Sequence, residues 1–297
     1  MAHVGQLDFR HFMDQRAQER VGGDTHDGRE YAYISDKNTR SAFAQMKPVE
    51  LAMTAAVRLF RSVAKGEMLG HAVKVGPRQF PRLHALAVEC ARSLDVPTPQ
   101  LYVKNSPVMN AMTYGTNDDS FIIVHSALVD HFTDEELLSV IGHETGHIHN
   151  SHVVYLTAMA MLAQLAGGLS KLILGPAQLA LSGWMRRAEI TCDRAGLLCG
   201  KDLQASNRAF AKLALGSTKL YPELNLDVFI EQHEEAQADV GRYGELRESH
   251  PFLPKRMLAL KAFSESKLYR EKAGLGHDGL TMTQVDEKVH EIIKIWG

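Results

Sequence analysis

Residues 133–149 admit one local structure. Thr133-Asp134-Glu135-Glu136 sets a hydroxyl three residues ahead of a glutamate, the pattern in which each side chain caps the other's free backbone N–H at a helix start. Leu137, Leu138, Ile141, Thr145 and Ile148 continue at helical spacing, and no proline interrupts them. Inside this helix lies His143-Glu144-Thr145-Gly146-His147. Residues four apart share a helix face, so both imidazoles reach one metal ion and Glu144 stands beside it. A hydrolytic zinc centre needs three protein ligands and an open position. The fold must therefore bring a further ligand against this face. The pentad is short enough to recur by chance, so the rest of the chain has to supply that ligand.

His149 and His152 follow closely, but His149 is two residues past His147 and turns away from its face. Asn150 and Val153 stand where the pattern HExxHxxGxxH requires Gly and His, which argues against the metzincin arrangement. Further on, Arg186 to Gly196 reads as a second helix with Glu189 and Asp193 four apart on one face. One carboxylate of such a pair can ligate a metal while the other orients a ligating histidine through its free ring N–H. The plainer alternative is a solvated face on which both pair with Arg186, Arg187 or Arg194. Following an HExxH helix, the metal reading is favoured.

The succession of HExxH and R-x-x-E-x-x-x-D (Arg186, Glu189, Asp193) resembles the M48 metallopeptidases, gluzincins that include the membrane protease HtpX and the proteases that process prenylated CAAX proteins. Asn110-Ala111-Met112-Thr113-Tyr114-Gly115 resembles that family's N-A-[FM]-T-x-G strand. Ser249-His250-Pro251, with Arg256 five residues after the proline, resembles its [ST]-H-P-x-x-x-x-R segment. Leu83 to Gln100 resembles the stretch leading into the first strand, so the resemblance runs from about Lys74 to Leu260. Thr145 and Cys192 stand where leucine and alanine are common, and neither position is a ligand.

The resemblance implies an α+β, mostly helical, zincin-like domain with a small antiparallel or mixed sheet beside the HExxH helix. It implies one Zn²⁺ per chain, held by His143, His147 and Glu189, with Glu144 as the base that activates water. Asp193 would orient His143. His250 would be catalytic, donating a hydrogen bond to the oxyanion, or else a turn residue fixed by Pro251. Arg256 is an ion-pair partner or a substrate contact. Asn110, Ala111, Met112 and Thr113 would bind substrate as a sheet edge to which an extended peptide adds, unless they form an ordinary buried strand. The implied reaction is hydrolysis of peptide bonds in extended or unfolded polypeptides. The alternative is a latent or non-proteolytic zinc-bearing regulatory protein whose groove is covered by its own termini.

Composition narrows the classes. A net charge of −2 on 297 residues gives no footprint for nucleic acid. Cys90, Cys192 and Cys199 show no CxxC spacing, and the last two are too far apart along one helix for a disulfide, so buried thiols in a reducing compartment are expected. Residues 1–22 lack the pattern of a secretory leader, and the expected location is cytoplasmic. Val153 to Ser170 and Leu172 to Met185 are uncharged and lie where membrane-bound M48 members carry a transmembrane hairpin. A span needs about 20 apolar residues. Thr157, Gln164, Gly167 and Gly168 dilute the first run, Lys171 ends it, and Gly175-Pro176 breaks the second. Two core helices are expected here. Membrane association is not favoured, and 153–183 is a secondary candidate for an oligomer interface.

The remaining pattern predicts a polar extension over 1–45 and a single peptidase domain over 46–297. Helices are expected at Pro48–Ala64, Pro81–Leu94, Ala205–Leu215, Leu226–Ala238, Pro254–Lys272 and Thr283–Ile295. Strands are expected at Gln100–Lys104, Met109–Tyr114 and Phe121–Val124.

Overall fold

The computed structural model describes residues 29–45, 70–116, 119–157, 170–217, 219–238 and 250–294. The helix expected at Pro48–Ala64 lies outside them. In chain order the elements are α1 (Ile34–Gln45), β1 (Ala72–Lys74), α2 (Pro81–Leu94), β2 (Gln100–Lys104), β3 (Ala111–Gly115), β4 (Ser120–His125), α3 (Ser126–His131), α4 (Asp134–His149), α5 (Ser170–Gly200), α6 (Leu203–Leu215), α7 (Leu226–Ala238), α8 (Leu253–Ser264), α9 (Lys267–Lys272) and α10 (Met282–Ile293). The architecture is α+β and mostly helical, as expected.

The sheet among the described residues is four-stranded and mixed, in the order β1-β2-β4-β3. Its only parallel pairing is β2 with β4, and β1 and β3 are antiparallel edges. Side chains alternate across the pleat. Leu101, Ile122 and Val124 therefore join the main core, while Tyr102, Phe121 and Ile123 cluster on the other face. β3 begins two residues later than the sequence pattern suggests, after Asn110, whose carbonyl accepts the His125 N–H at 3.0 Å.

α4 starts as its capping box dictates: the Thr133 side chain accepts the Glu136 N–H, and Glu136 reaches back to the Thr133 N–H. Leu137 and Ile141 are wholly buried, each burial contributing about 1.5–3 kcal/mol. α4 and α5 lie unusually close because small residues meet between them. A Cβ on Gly196 would stand 2.5 Å from the Ser139 carbonyl oxygen, and one on Gly142 2.7 Å from the Cys199 Cβ. This contact carries the face bearing His143 and His147 onto the face bearing Glu189 and Asp193.

The larger compact unit spans Tyr31–Gly297. Tyr31, Tyr33 and Asp36 are buried, and the Tyr33 N–H donates to the Thr191 hydroxyl of α5 at 3.1 Å. A few aromatic anchors outweigh the polar composition of the segment around them. The single helix expected over Pro254–Lys272 is divided into α8 and α9, since the Ser266 side chain accepts the Tyr269 N–H and starts a new helix. Cys90, Cys192 and Cys199 are free and buried. Val153, Val154 and Tyr155 are buried, and Tyr155 packs with Trp184, Met185 and Ala188. No helix among the described residues is long and apolar enough to cross a membrane.

Candidate metal centre

Three elements converge on one point. α4 contributes His143, Glu144 and His147, and α5 contributes Glu189 and Asp193. The segment entering α8 adds His250, and the first turn of α8 adds Arg256. His143 Nε2 lies 3.3 Å from Glu189 Oε2, and His147 Nε2 lies 3.4 Å from Glu189 Oε1. The two imidazoles meet edge to face with centroids 4.9 Å apart. One ligand atom from each of His143, His147 and Glu189 lies within 4.8 Å of the others. The solvated-face alternative for Glu189 and Asp193 is excluded, as both are buried. Arg194 turns away and pairs with Asp286 of α10 at 2.7 Å.

Asp193 lies against the first imidazole. Its Oδ1 lies 2.9 Å from His143 Nδ1, leaving Nε2 facing Glu189. Arg256 grips the same carboxylate with two bonds, Nε to Oδ2 at 2.8 Å and Nη2 to Oδ1 at 2.6 Å, and its Nη2 also stands 3.2 Å from Glu189 Oε2. This settles Arg256 as a buried ion-pair partner, stacked over Phe210 with its guanidinium carbon 4.9 Å from the ring centre. His250 is half exposed, with Nε2 3.5 Å from Glu189 Oε1. It borders the same cleft as Asn110, Ala111, Val140 and Phe210.

Charge is concentrated here. Burial opposes ionisation of Glu189, but His250, His143 and Arg256 hold its carboxyl well below the usual range. Burial likewise opposes the charge on Asp193, and Arg256 outweighs it. For His143, burial disfavours the cation, yet Glu189 and the bond to Asp193 raise its pKa to about 10. His147 is lowered by its burial. Glu189 Oε2 makes no aligned hydrogen bond although cationic groups stand close to it. A buried carboxylate with one oxygen left over beside the His143 imidazole and the other beside His147, with nitrogen and carboxylate ligand atoms converging, fits a divalent cation of the zinc type.

Beside this cluster, the Thr113 hydroxyl of β3 donates to Glu144 Oε2 at 2.5 Å and to the Glu144 carbonyl at 3.2 Å. The Thr113 side chain thus serves Glu144 and is buried. Among the described residues β3 is a sheet edge, and the Thr157 hydroxyl occupies its far end, within 3.2 Å of both the N–H and the carbonyl of Gly115. Sequence spacing did not reveal Thr113 as the partner of Glu144, nor two further buried residues, Asp36 and His152, that approach His147 from behind.

Residues 77–264 match the model of peptidase family M48. The plastoglobule-localized metallopeptidase 48 of Arabidopsis thaliana, chloroplastic by its name, is 38% identical over 170 residues, which are 56% of this chain and 49% of that protein. A protease HtpX homolog from Moorella thermoacetica is 34% identical over 96 residues, 32% of each chain. Another, from Caldanaerobacter subterraneus, is 37% identical over 95 residues, again 32% of each. The chain thus spans about half the length of the plant relative and about a third of the two bacterial ones.

Proposed function

Because the chain belongs to peptidase family M48, we propose that it is a zinc-dependent endopeptidase acting on extended or unfolded polypeptides. The observation that carries this reading is the convergence of two histidine Nε2 atoms on a buried glutamate with an unsatisfied oxygen, beside a second glutamate held by a hydroxyl.

His143, His147 and Glu189 would hold one zinc ion. When bound, zinc supplies Lewis acidity and brings the pKa of water toward about 7. Glu144 takes the proton of the attacking water and passes it to the leaving nitrogen. Thr113 occupies one of its oxygens, which fixes the carboxylate and leaves the other oxygen for the proton. Asp193 holds His143 by Nδ1 so that Nε2 faces inward, and Arg256 keeps Asp193 ionised. His250, at the open side of the cleft, would donate a hydrogen bond as charge develops on the carbonyl oxygen.

The exposed edge of β3 supports this substrate class. In an antiparallel pair, backbone groups point alternately toward and away from the partner strand. Asn110 bonds to β4 through its carbonyl, and Gly115 turns its backbone groups to Thr157. Ala111 and Thr113 therefore present theirs to the free edge. A peptide laid along that edge as an added strand is read through its backbone. Asn110, Ala111 and Met112 would contact it directly, and Thr113 through its backbone alone. None of the residues bordering the cleft comes from α10, which packs on α8. Coverage by residues 1–28 lies outside the described residues.

This reading is tested with a peptide that is cleaved, remade with a single N-methyl group at each backbone nitrogen in turn. Alternate positions beside the scissile bond should lose at least about tenfold in kcat/KM, the equivalent of 1.4 kcal/mol for a lost edge hydrogen bond. Uniform tolerance of methylation, or equal cleavage of a folded protein and its unfolded form, would contradict recognition along β3.

A further inference from the structure

Behind the centre, on the side of His147 away from Glu189, lies a line of buried polar groups that the mechanism above does not use. His147 Nδ1 is 3.2 Å from His152 Nδ1. The far nitrogen of that second ring, His152 Nε2, is 3.2 Å from Asp36 Oδ2. Its approach is bent from linear, and it has no better-aligned partner. Asp36 is held by donors on α5: the Trp184 ring N–H bonds its Oδ1 at 2.8 Å and the Thr191 hydroxyl bonds its Oδ2 at 2.7 Å. His152 is fully buried, edge-on to His147 on one side and to Trp184 on the other.

The protons in this line can be ordered. If His147 ligates metal through Nε2, its proton sits on Nδ1 and must be donated. His152 Nδ1 is then the acceptor, which puts the proton of a neutral His152 on Nε2, facing a carboxylate that can only accept. Along His147, His152 and Asp36 each N–H then meets an acceptor, with the Cys192 thiol, a weaker donor, 3.6 Å from the same His152 Nδ1. We propose that Asp36 and His152 form a positioning relay for the second metal ligand, fixing His147 in the tautomer that coordinates through Nε2, as Asp193 does for His143. The relay rests on the reading of His147 as a ligand.

His147, His152 and Cys192 also lie close enough together to suggest an ion of their own. That use conflicts with the geometry. Both nitrogens of His152 already face partners, and His147 would have to bridge two metals. The cluster is better explained as hydrogen bonding.

Asp36→Asn separates these ideas. The Trp184 N–H is donor only, so the new amide must turn its oxygen toward Trp184 and its NH₂ toward His152. His152 is then driven to the opposite tautomer, and two N–H groups oppose one another at His147. The full chain, stripped of metal, is titrated with zinc against a chromophoric chelator, and the visible spectrum of its cobalt form is recorded. Asp36→Asn and His152→Phe should each weaken zinc about 10–100-fold and shift the cobalt bands. His152→Gln, whose oxygen can accept from His147 while its nitrogen donates to Asp36, should stay closer to wild type than His152→Phe. If Asp36→Asn does not fold, the two His152 variants decide. Wild-type zinc affinity and cobalt spectra in His152→Phe, with the metal lost in His147→Ala, would overturn the relay and leave the metal site standing. Wild-type affinity in His147→Ala would overturn the metal site beneath it. A second zinc per chain that disappears in His152→Phe would replace the relay with a second metal site.

Discussion

Glu144→Gln is expected to lower peptide cleavage by about 10²–10⁴-fold while zinc content stays at the wild-type level. The amide keeps the size of the side chain and can still accept the Thr113 hydroxyl through its oxygen, so the cleft should not rearrange. What it loses is a basic oxygen for the water proton. Because Glu144 is not among the converging ligand atoms, metal binding should be indifferent to the change. The measurement is kcat/KM on an unfolded polypeptide beside metal analysis of the same sample. Parallel loss of zinc and activity would mean that Glu144 is a ligand or a structural residue. Unchanged activity would mean that another group takes the proton.

The second large effect concerns stability. Arg256 is the guanidinium that faces both Asp193 and Glu189, and all three groups are buried. Removing one partner of a buried ion pair leaves uncompensated charge, at a cost of about 3–5 kcal/mol. Arg256→Met keeps much of the aliphatic stem and removes the guanidinium stacked over Phe210, so the loss should be mainly electrostatic. Denaturant unfolding of the metal-free protein should show this loss. Saturating zinc should restore part of it, since a divalent cation replaces the missing positive charge and binds only the folded chain. Adding Asp193→Asn to Arg256→Met should cost less than the sum of the two single changes. A loss below about 1 kcal/mol for Arg256→Met would show that Arg256 is replaceable by solvent in this cluster.

The parts of this structure that were legible in the sequence are those written by local rules. The Thr133–Glu136 box placed the start of α4 to the residue, and an unbroken helical pattern carried it through the pentad. The spacing of Glu189 and Asp193 placed two carboxylates on one face. Pro81 opened α2 at the expected position. Asp193 lies against His143, the histidine its spacing pointed to, while the partner of Arg256 was not legible, and only the structure showed it gripping Asp193.

What could not be read depends on contacts between distant residues. Asp36 lies 148 positions from Trp184 and 155 from Thr191, and nothing in the polar stretch around it signals that it is buried against them. The segment beginning at Tyr31 reads as an extension because its charges outnumber its anchors, yet Tyr31 and Tyr33 carry it into the core. Gly142 and Gly196 carry no local signal of their packing role. Their role, letting α4 and α5 approach, exists only once the two helices are side by side. Thr113 was read as a substrate contact by its place in a strand, whereas the pleat turns its side chain inward to Glu144.

The central claim is that His143, His147 and Glu189 hold a zinc ion that peptide hydrolysis requires. The most direct measurement strips the full chain of metal, returns zinc in fractions of an equivalent, and follows bound metal and cleavage of an unfolded polypeptide together. Cleavage should rise in proportion to bound zinc and level off at about one ion per chain, the capacity of a single three-ligand site. Full cleavage by the metal-free chain, or no tight zinc binding at all, would contradict it.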